Sequence, residues 1–219
     1  MTDEEKINLI DSFDCIDELG KEQFEILVNL SSDKDDFVRS RCAAQLANFE
    51  NEESLNILMK LLKDEDSFVR TEAYDSIAIF ENEKVEKVLR KASKEEVDSL
   101  ARRYAILSWV DVALSLNHES QTNIDFITDL KANEASDDCL LSCCYAQYLF
   151  GDKNVLDSIL SYLKNENYQI RCMALSLLND LLDNNNKQII KNAITLLLIS
   201  ENTVPVRDRA TIFLEELCT

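Results

Sequence analysis

The chain has 219 residues, a formal net charge of -19 and 46% hydrophobic residues, so a packed core is within reach. The acidic excess argues against nucleic acid and anionic membrane surfaces as ligands, because affinity for phosphates comes from lysine and arginine. Two glycines and one proline are too few for the turns of a β-protein, and no apolar stretch approaches the ~20 residues of a membrane span. The chain therefore reads as all-helical, turning on Asn, Asp and Ser.

Residues 1–20 carry Ile7, Ile10, Phe13 and Leu19 among many acids, which predicts an N-terminal capping helix. The acidic opening Met1, Thr2, Asp3, Glu4, Glu5 fits neither a signal nor a transit peptide, so a cytoplasmic protein is expected. Seven cysteines follow no disulfide spacing and are expected to be reduced and largely buried.

From residue 21 onward one motif recurs: a hydrophobic or small residue, an arginine, and a small residue three positions later. The copies are Val38 and Arg39 with Cys42, Val69 and Arg70 with Ala73, Ala101 and Arg102 with Ala105, Ile170 and Arg171 with Ala174, and Val206 and Arg207 with Ala210. A further copy, Leu140 and Leu141 with Cys144, has lost its arginine. Successive spacings of 31, 32, 39, 30 and 36 residues mark a stacked repeat protein. Each repeat reads as helix A, a short acidic turn and helix B. In the second repeat Leu55, Leu58, Leu61 and Leu62 share one face of helix A, and Val69, Ala73, Ile77 and Phe80 form the core stripe of helix B. Asp35, Asp66, Asp98, Asp137, Asn167 and Thr203 are placed to cap the B helices. The repeated Asp and Arg could also pair between layers as a ladder.

This pattern resembles the HEAT repeat family, in particular the bacterial HEAT-like repeats first noted in phycobilisome lyases. The resemblance rests on Asp35, Val38, Arg39, Cys42 and Leu46, then Asp66, Val69, Arg70, Ala73 and Ile77, and extends over residues 21–219. The proline that family members often carry beside the turn aspartate is absent here. The resemblance implies an all-α fold, a right-handed α-solenoid of about six HEAT-like helical pairs behind the capping helix. As one continuous domain it would divide at about 21–51, 52–82, 83–118, 119–151, 152–185 and 186–219. Such a resemblance speaks to fold and hardly to activity.

Helix-wheel positions opposite the B-helix core stripe are expected to line the concave face. In the second repeat these are Thr71, Tyr74, Asp75 and Ala78, a polar set. In the third they are Arg103, Ile106, Leu107 and Val110, and in the fourth Ser142, Tyr145, Ala146 and Leu149. Helices apolar on both faces are either buried twice or present a sticky patch. The patch, with the acidic turn carrying Asp137 and Asp138, makes Tyr74, Asp75, Arg103, Ile106, Leu107, Val110, Asp137, Asp138, Tyr145 and Leu149 the candidate partner-binding residues.

Catalytic chemistry has little to stand on. His118 is the single histidine, and its one neighbouring Glu119 cannot supply the several His-Glu pairs of the di-iron deoxyhypusine hydroxylases, a HEAT-like family. Cys139, Cys143 and Cys144 lack the partners of a zinc site. No glycine-rich phosphate loop occurs, the charge opposes a HEAT-like DNA glycosylase, and Trp109 falls on the core stripe. We therefore expect no cofactor and no metal, a non-enzymatic chain that is monomeric when free, and another protein, basic in character, as partner. The most specific expectation is an immunity protein that neutralises a basic toxin nuclease; the alternatives are a scaffold or regulatory adaptor and a lyase-like enzyme.

Overall fold

Short polar side chains start the helices by taking backbone N–H groups that have no partner inside the helix. In the structure, a computed structural model describing residues 1–16, 18–117 and 120–217 apart from the side chain of Ser120, Asp35 accepts from Val38 N at 3.0 Å and Asp98 from Ala101 N at 3.0 Å. Asp66 accepts from Phe68 N and Val69 N at 2.9 and 3.1 Å, and Asn167 from Gln169 N at 2.9 Å.

The described residues form thirteen α-helices and three short 3-10 turns, with no strand among them. The chain separates into two compact units, Met1–His118 and Glu119–Thr219. The division falls on an expected repeat boundary. In the first unit α1 (Asp3–Asp11) precedes three pairs: α2 (Lys21–Leu30) with α3 (Asp36–Leu46), α4 (Glu52–Leu61) with α5 (Ser67–Ile77), and α6 (Glu83–Glu95) with α7 (Ser99–Ser115). The B helices pack side by side, α3 on α5 and α5 on α7, while α1 covers α3. The second unit holds α8 (Ser120–Ala132) with α9 (Asp137–Leu149), α10 (Leu156–Ser161) with α11 (Tyr168–Asp180), and α12 (Lys187–Ser200) with α13 (Val204–Glu216). Leu141, Cys144, Ile159, Leu175, Ile194 and Phe213 are among the side chains that fill its core.

An arginine ladder runs along the turns, but its acids are not the capping aspartates. Arg39 forks Asp64 through Nε and Nη2 at 2.8 and 2.7 Å. Arg70 forks Glu96 at 2.8 Å through both nitrogens, and Arg171 forks Glu201 at 2.7 and 3.0 Å. Each acid lies two residues before the cap of the next B helix, and it accepts a backbone N–H of that turn: Asp66 N, Asp98 N and Thr203 N respectively. The remaining guanidinium nitrogen of each arginine ties down its own turn, as Arg70 Nη1 does with the carbonyls of Asp64 and Glu65 at 2.9 and 3.1 Å. One side chain thus fixes two successive turns through bidentate, charge-assisted bonds. At the start of the stack Lys6 of α1 substitutes for an arginine, reaching Asp33 at 2.8 Å.

The fourth copy departs from its expected register. Ser136 occupies the cap position of α9, its hydroxyl hydrogen-bonded to Asp138, and Asp137 is the first helical residue instead of the cap. Cys139 and Cys143 therefore take the Val and small-residue places, both fully buried, and Leu140 stands where arginine would. Here Asn165 Nδ2 donates to Asp137 at 2.7 Å in place of the fork.

The fork holds the Glu201 carboxyl down at about 2, chiefly because Arg171 donates to the charged form, against the opposing effect of burial. A depressed folded-state value contributes stability above the unfolded one and loses it as pH falls through the folded one. Amide-exchange protection of α11 and α13 should therefore drop by the order of 3 kcal/mol between pH 4.5 and 2. Glu201→Gln should flatten that slope; an unchanged slope would show that the pair carries no linkage.

Candidate interaction site

Within each unit a B helix is covered by its own A helix and by the B helix or helices beside it in that unit. The wheel positions expected to face a partner are therefore buried where the neighbouring B helix sits. Tyr74 is 4% exposed, and Ile106 and Val110 are 0% exposed, so these three present no surface to a partner. Tyr74 instead donates its hydroxyl to Glu96 at 3.1 Å, inside the arginine ladder. Arg103 and Leu107 are half-buried, the Arg103 guanidinium lying 4.8 Å from the Tyr104 ring centroid. Asp75 is exposed. In the second unit Asp137 is exposed, Asp138 is half-buried, and Tyr145 and Leu149 pack partly buried against the core.

What remains open on the B helices of the first unit is a stripe about one position away from the expected one. It comprises Arg41 on α3, Glu72, Asp75 and Ile79 along or just after α5, and Tyr104, Leu107, Asp111 and Leu114 on α7. Arg41 is answered by Asp11 at 2.6 Å. Glu72 and Asp75, one helical turn apart, make no ion pair among the described residues. Desolvation raises both carboxyls above their ordinary values; for Glu72 the nearby Asp75 adds to this and Arg41 opposes it. Two carboxylates held close together and partly desolvated form a ready site for a cation. Glu72 was not on the expected list; the signal for it is its spacing of three from Asp75.

A second surface lies along the turns. A groove of about 840 Å³ opens between the end of α2 and α4, and one of about 690 Å³ between α4 and α6, meeting at Met59, Lys63 and Asp64. The second unit has a comparable groove of about 810 Å³ between α10 and α12, lined by Leu160, Leu196, Arg171 and Glu201.

Residues 24–108 match the family model described as HEAT repeats. Over this span the chain is similar to HEAT repeats. No curated protein matches the chain. Among solved structures, a chain of the complex of CpcE and CpcF of phycocyanin lyase from Nostoc sp. PCC7120 superposes with a TM-score of 0.61 at 14% identity, covering 90% of this chain and 83% of that one. At that identity the likeness shows the fold, an α-solenoid. The exposed faces of HEAT and related stacks serve as extended binding surfaces.

Catalytic and metal chemistry find few groups in place. Among the described residues no three His, Cys, Asp or Glu side chains gather as metal ligands, and no helix is long and apolar enough to cross a membrane. His118, Glu119 and Cys218 lie outside the described residues. Six cysteines are free thiols, four of them buried, and burial pushes the Cys42 thiol up to about 12. Such a thiol is unreactive at neutral pH.

Proposed function

We propose that this HEAT-repeat protein is a non-catalytic scaffold that holds a basic protein on the open B-helix face of its first unit. The observation that carries the reading is the Glu72 and Asp75 pair: two carboxyls raised by desolvation that make no ion pair among the described residues. Tyr104, Leu107 and Leu114 on α7 would add apolar contact beside them, and the net charge of -19 would speed encounter with a basic surface. A lysine or arginine placed between Glu72 and Asp75 would stabilise the charged form of both, so binding should tighten as pH rises through the carboxylate range.

The same pair weakens the fold. A carboxyl raised in the folded state contributes stability only at low pH and loses it as pH rises through the folded value. Glu72→Gln with Asp75→Asn should therefore gain a few tenths of a kcal/mol at neutral pH while weakening capture of basic proteins at low salt. Proteins retained equally by wild type and by the Glu72→Lys, Asp75→Lys variant would sink the reading.

The narrower form is an immunity protein that occludes the basic cleft of a toxin nuclease. Net charge alone supports that form. Inhibition of a co-encoded nuclease, lost in the same charge-reversed variant, is its test.

A further inference from the structure

The bases of the first unit are not spread evenly over its surface. Residues 1–118 carry 27 acids and 15 bases, yet the two grooves along the turns of this unit are lined by seven bases and five acids. Four of those acids are already answered, Asp33 by Lys6, Asp64 by Arg39, Glu95 by Lys91 and Glu96 by Arg70, which leaves Lys34, Lys60, Lys63 and Lys84 against Glu65. Lys34, Lys63 and Lys84 are exposed and make no ion pair among the described residues. Lys84 lines the second groove from the first turn of α6, whereas the turns that follow the A helices expose large apolar side chains. Phe37 and Phe68, each two residues after a capping aspartate and 31 residues apart, are 67% and 63% exposed, and Val97 is 87% exposed. The groove floors are apolar at Met59, Val88 and Ala92, all half-buried. Cationic rims and an apolar floor thus occur together in grooves of adjacent layers.

We propose that this turn edge is a docking groove for an extended acidic segment of a partner protein, distinct from the basic partner of the B-helix face. Packed helices lie about 8–10 Å apart. A polyproline II chain repeats every three residues over about 9 Å, with every third side chain on one side. An apolar residue at each third position can therefore enter successive grooves while the carboxylates between meet Lys34, Lys63 and Lys84. The surrounding acidic field does not prevent this, because charges more than about 10 Å away are largely screened at physiological salt. A nucleic-acid strand is disfavoured by its denser charge, a phosphate on every nucleotide against one carboxylate in three residues.

The probe is a fluorescein-labelled peptide of repeating Leu-Glu-Pro, followed by anisotropy against the whole chain. It should bind wild type at low salt, weaken as salt rises, and lose roughly tenfold or more in affinity with Lys34→Glu, Lys63→Glu and Lys84→Glu combined. Phe68→Ser should weaken it separately, and Glu72→Gln with Asp75→Asn should leave it unchanged, which separates this groove from the B-helix face. All these side chains are exposed or at the open face, and unchanged circular dichroism would show that the variants fold. Absence of binding to wild type, or binding indifferent to the triple reversal, overturns the proposal. So does preferential binding of a single-stranded oligonucleotide or of a control peptide of repeating Leu-Lys-Pro. Self-association of wild type that the triple reversal abolishes would assign the edge to a second copy of the chain and equally overturn it.

Discussion

Replacing Arg70 by alanine is expected to destabilise the first unit by about 3–5 kcal/mol, the cost of leaving a buried carboxylate without its cation. Glu96 is 4% exposed at its side chain and Arg70 14%, so water cannot replace the lost partner. The two guanidinium bonds at 2.8 Å go, as do those to the Asp64 and Glu65 carbonyls that hold the preceding turn. Glu96 would keep only the Tyr74 hydroxyl at 3.1 Å and the Asp98 N–H at 3.0 Å. The converse change shows that the charge, more than the contact area, decides the effect. Arg70→Met combined with Glu96→Leu removes both ions and should recover much of the loss, since apolar replacement of a buried pair is often close to neutral. Chemical unfolding followed by the fluorescence of Trp109, the single tryptophan, reads this directly in the first unit. A single variant costing under about 1 kcal/mol would place the pair with weak surface bridges.

The ladder also shows where sequence reading of this fold is strong and where it stops. Recurrence of Val, Arg and a small residue located every B helix, and its buried stripe in every copy but the fourth, because helix period and burial act within a few residues. It could not say which acid the arginine meets. The capping aspartate was the nearest repeated acid, but its oxygen is already committed to helix N–H groups. The free carboxylate is two residues earlier, and its side chain alternates between Asp64, Glu96 and Glu201. In the fourth copy neighbouring pairs, Asp137 with Asp138 and Cys143 with Cys144, made two registers one residue apart equally periodic. Ser136 settled the register by taking the cap position.

The candidate site was less legible for a different reason. A helical wheel knows the core of its own repeat but not the flanking B helices, so Tyr74, Ile106 and Val110 looked open and are covered. The turn edge was hidden because grooves there arise between elements some 30 residues apart. One local signal was available: Phe37 and Phe68 recur two residues after a cap, where no core contact requires an aromatic ring.

Trp109→Ala is expected to be as damaging as loss of Arg70 or more so. The ring is 0% exposed, the largest fully buried side chain of the chain's described residues, and its truncation alone costs about 3–5 kcal/mol through the cavity left behind. A polar loss adds to that. The indole N–H donates at 2.8 Å to Glu86, itself 4% exposed, while Arg90 sits 3.5 Å from the same carboxylate oxygen and 5.4 Å from the ring centroid. Without the indole the carboxylate keeps one imperfect cation contact and loses its neutral donor, about 1–3 kcal/mol more. Those two losses together rival the whole stability of a small unit, so the alanine variant should lose helical circular dichroism over α6 and α7. Trp109→Phe separates the contributions, because it retains most of the volume and none of the hydrogen bond. In a cycle with Glu86→Leu the coupling should reach about 1.5–3 kcal/mol, as for a bond to a charged group. A coupling near zero would make Trp109 a space-filling residue only. A large one means that the α6–α7 pair is held, like the turns, by a desolvated carboxylate that needs a specific donor.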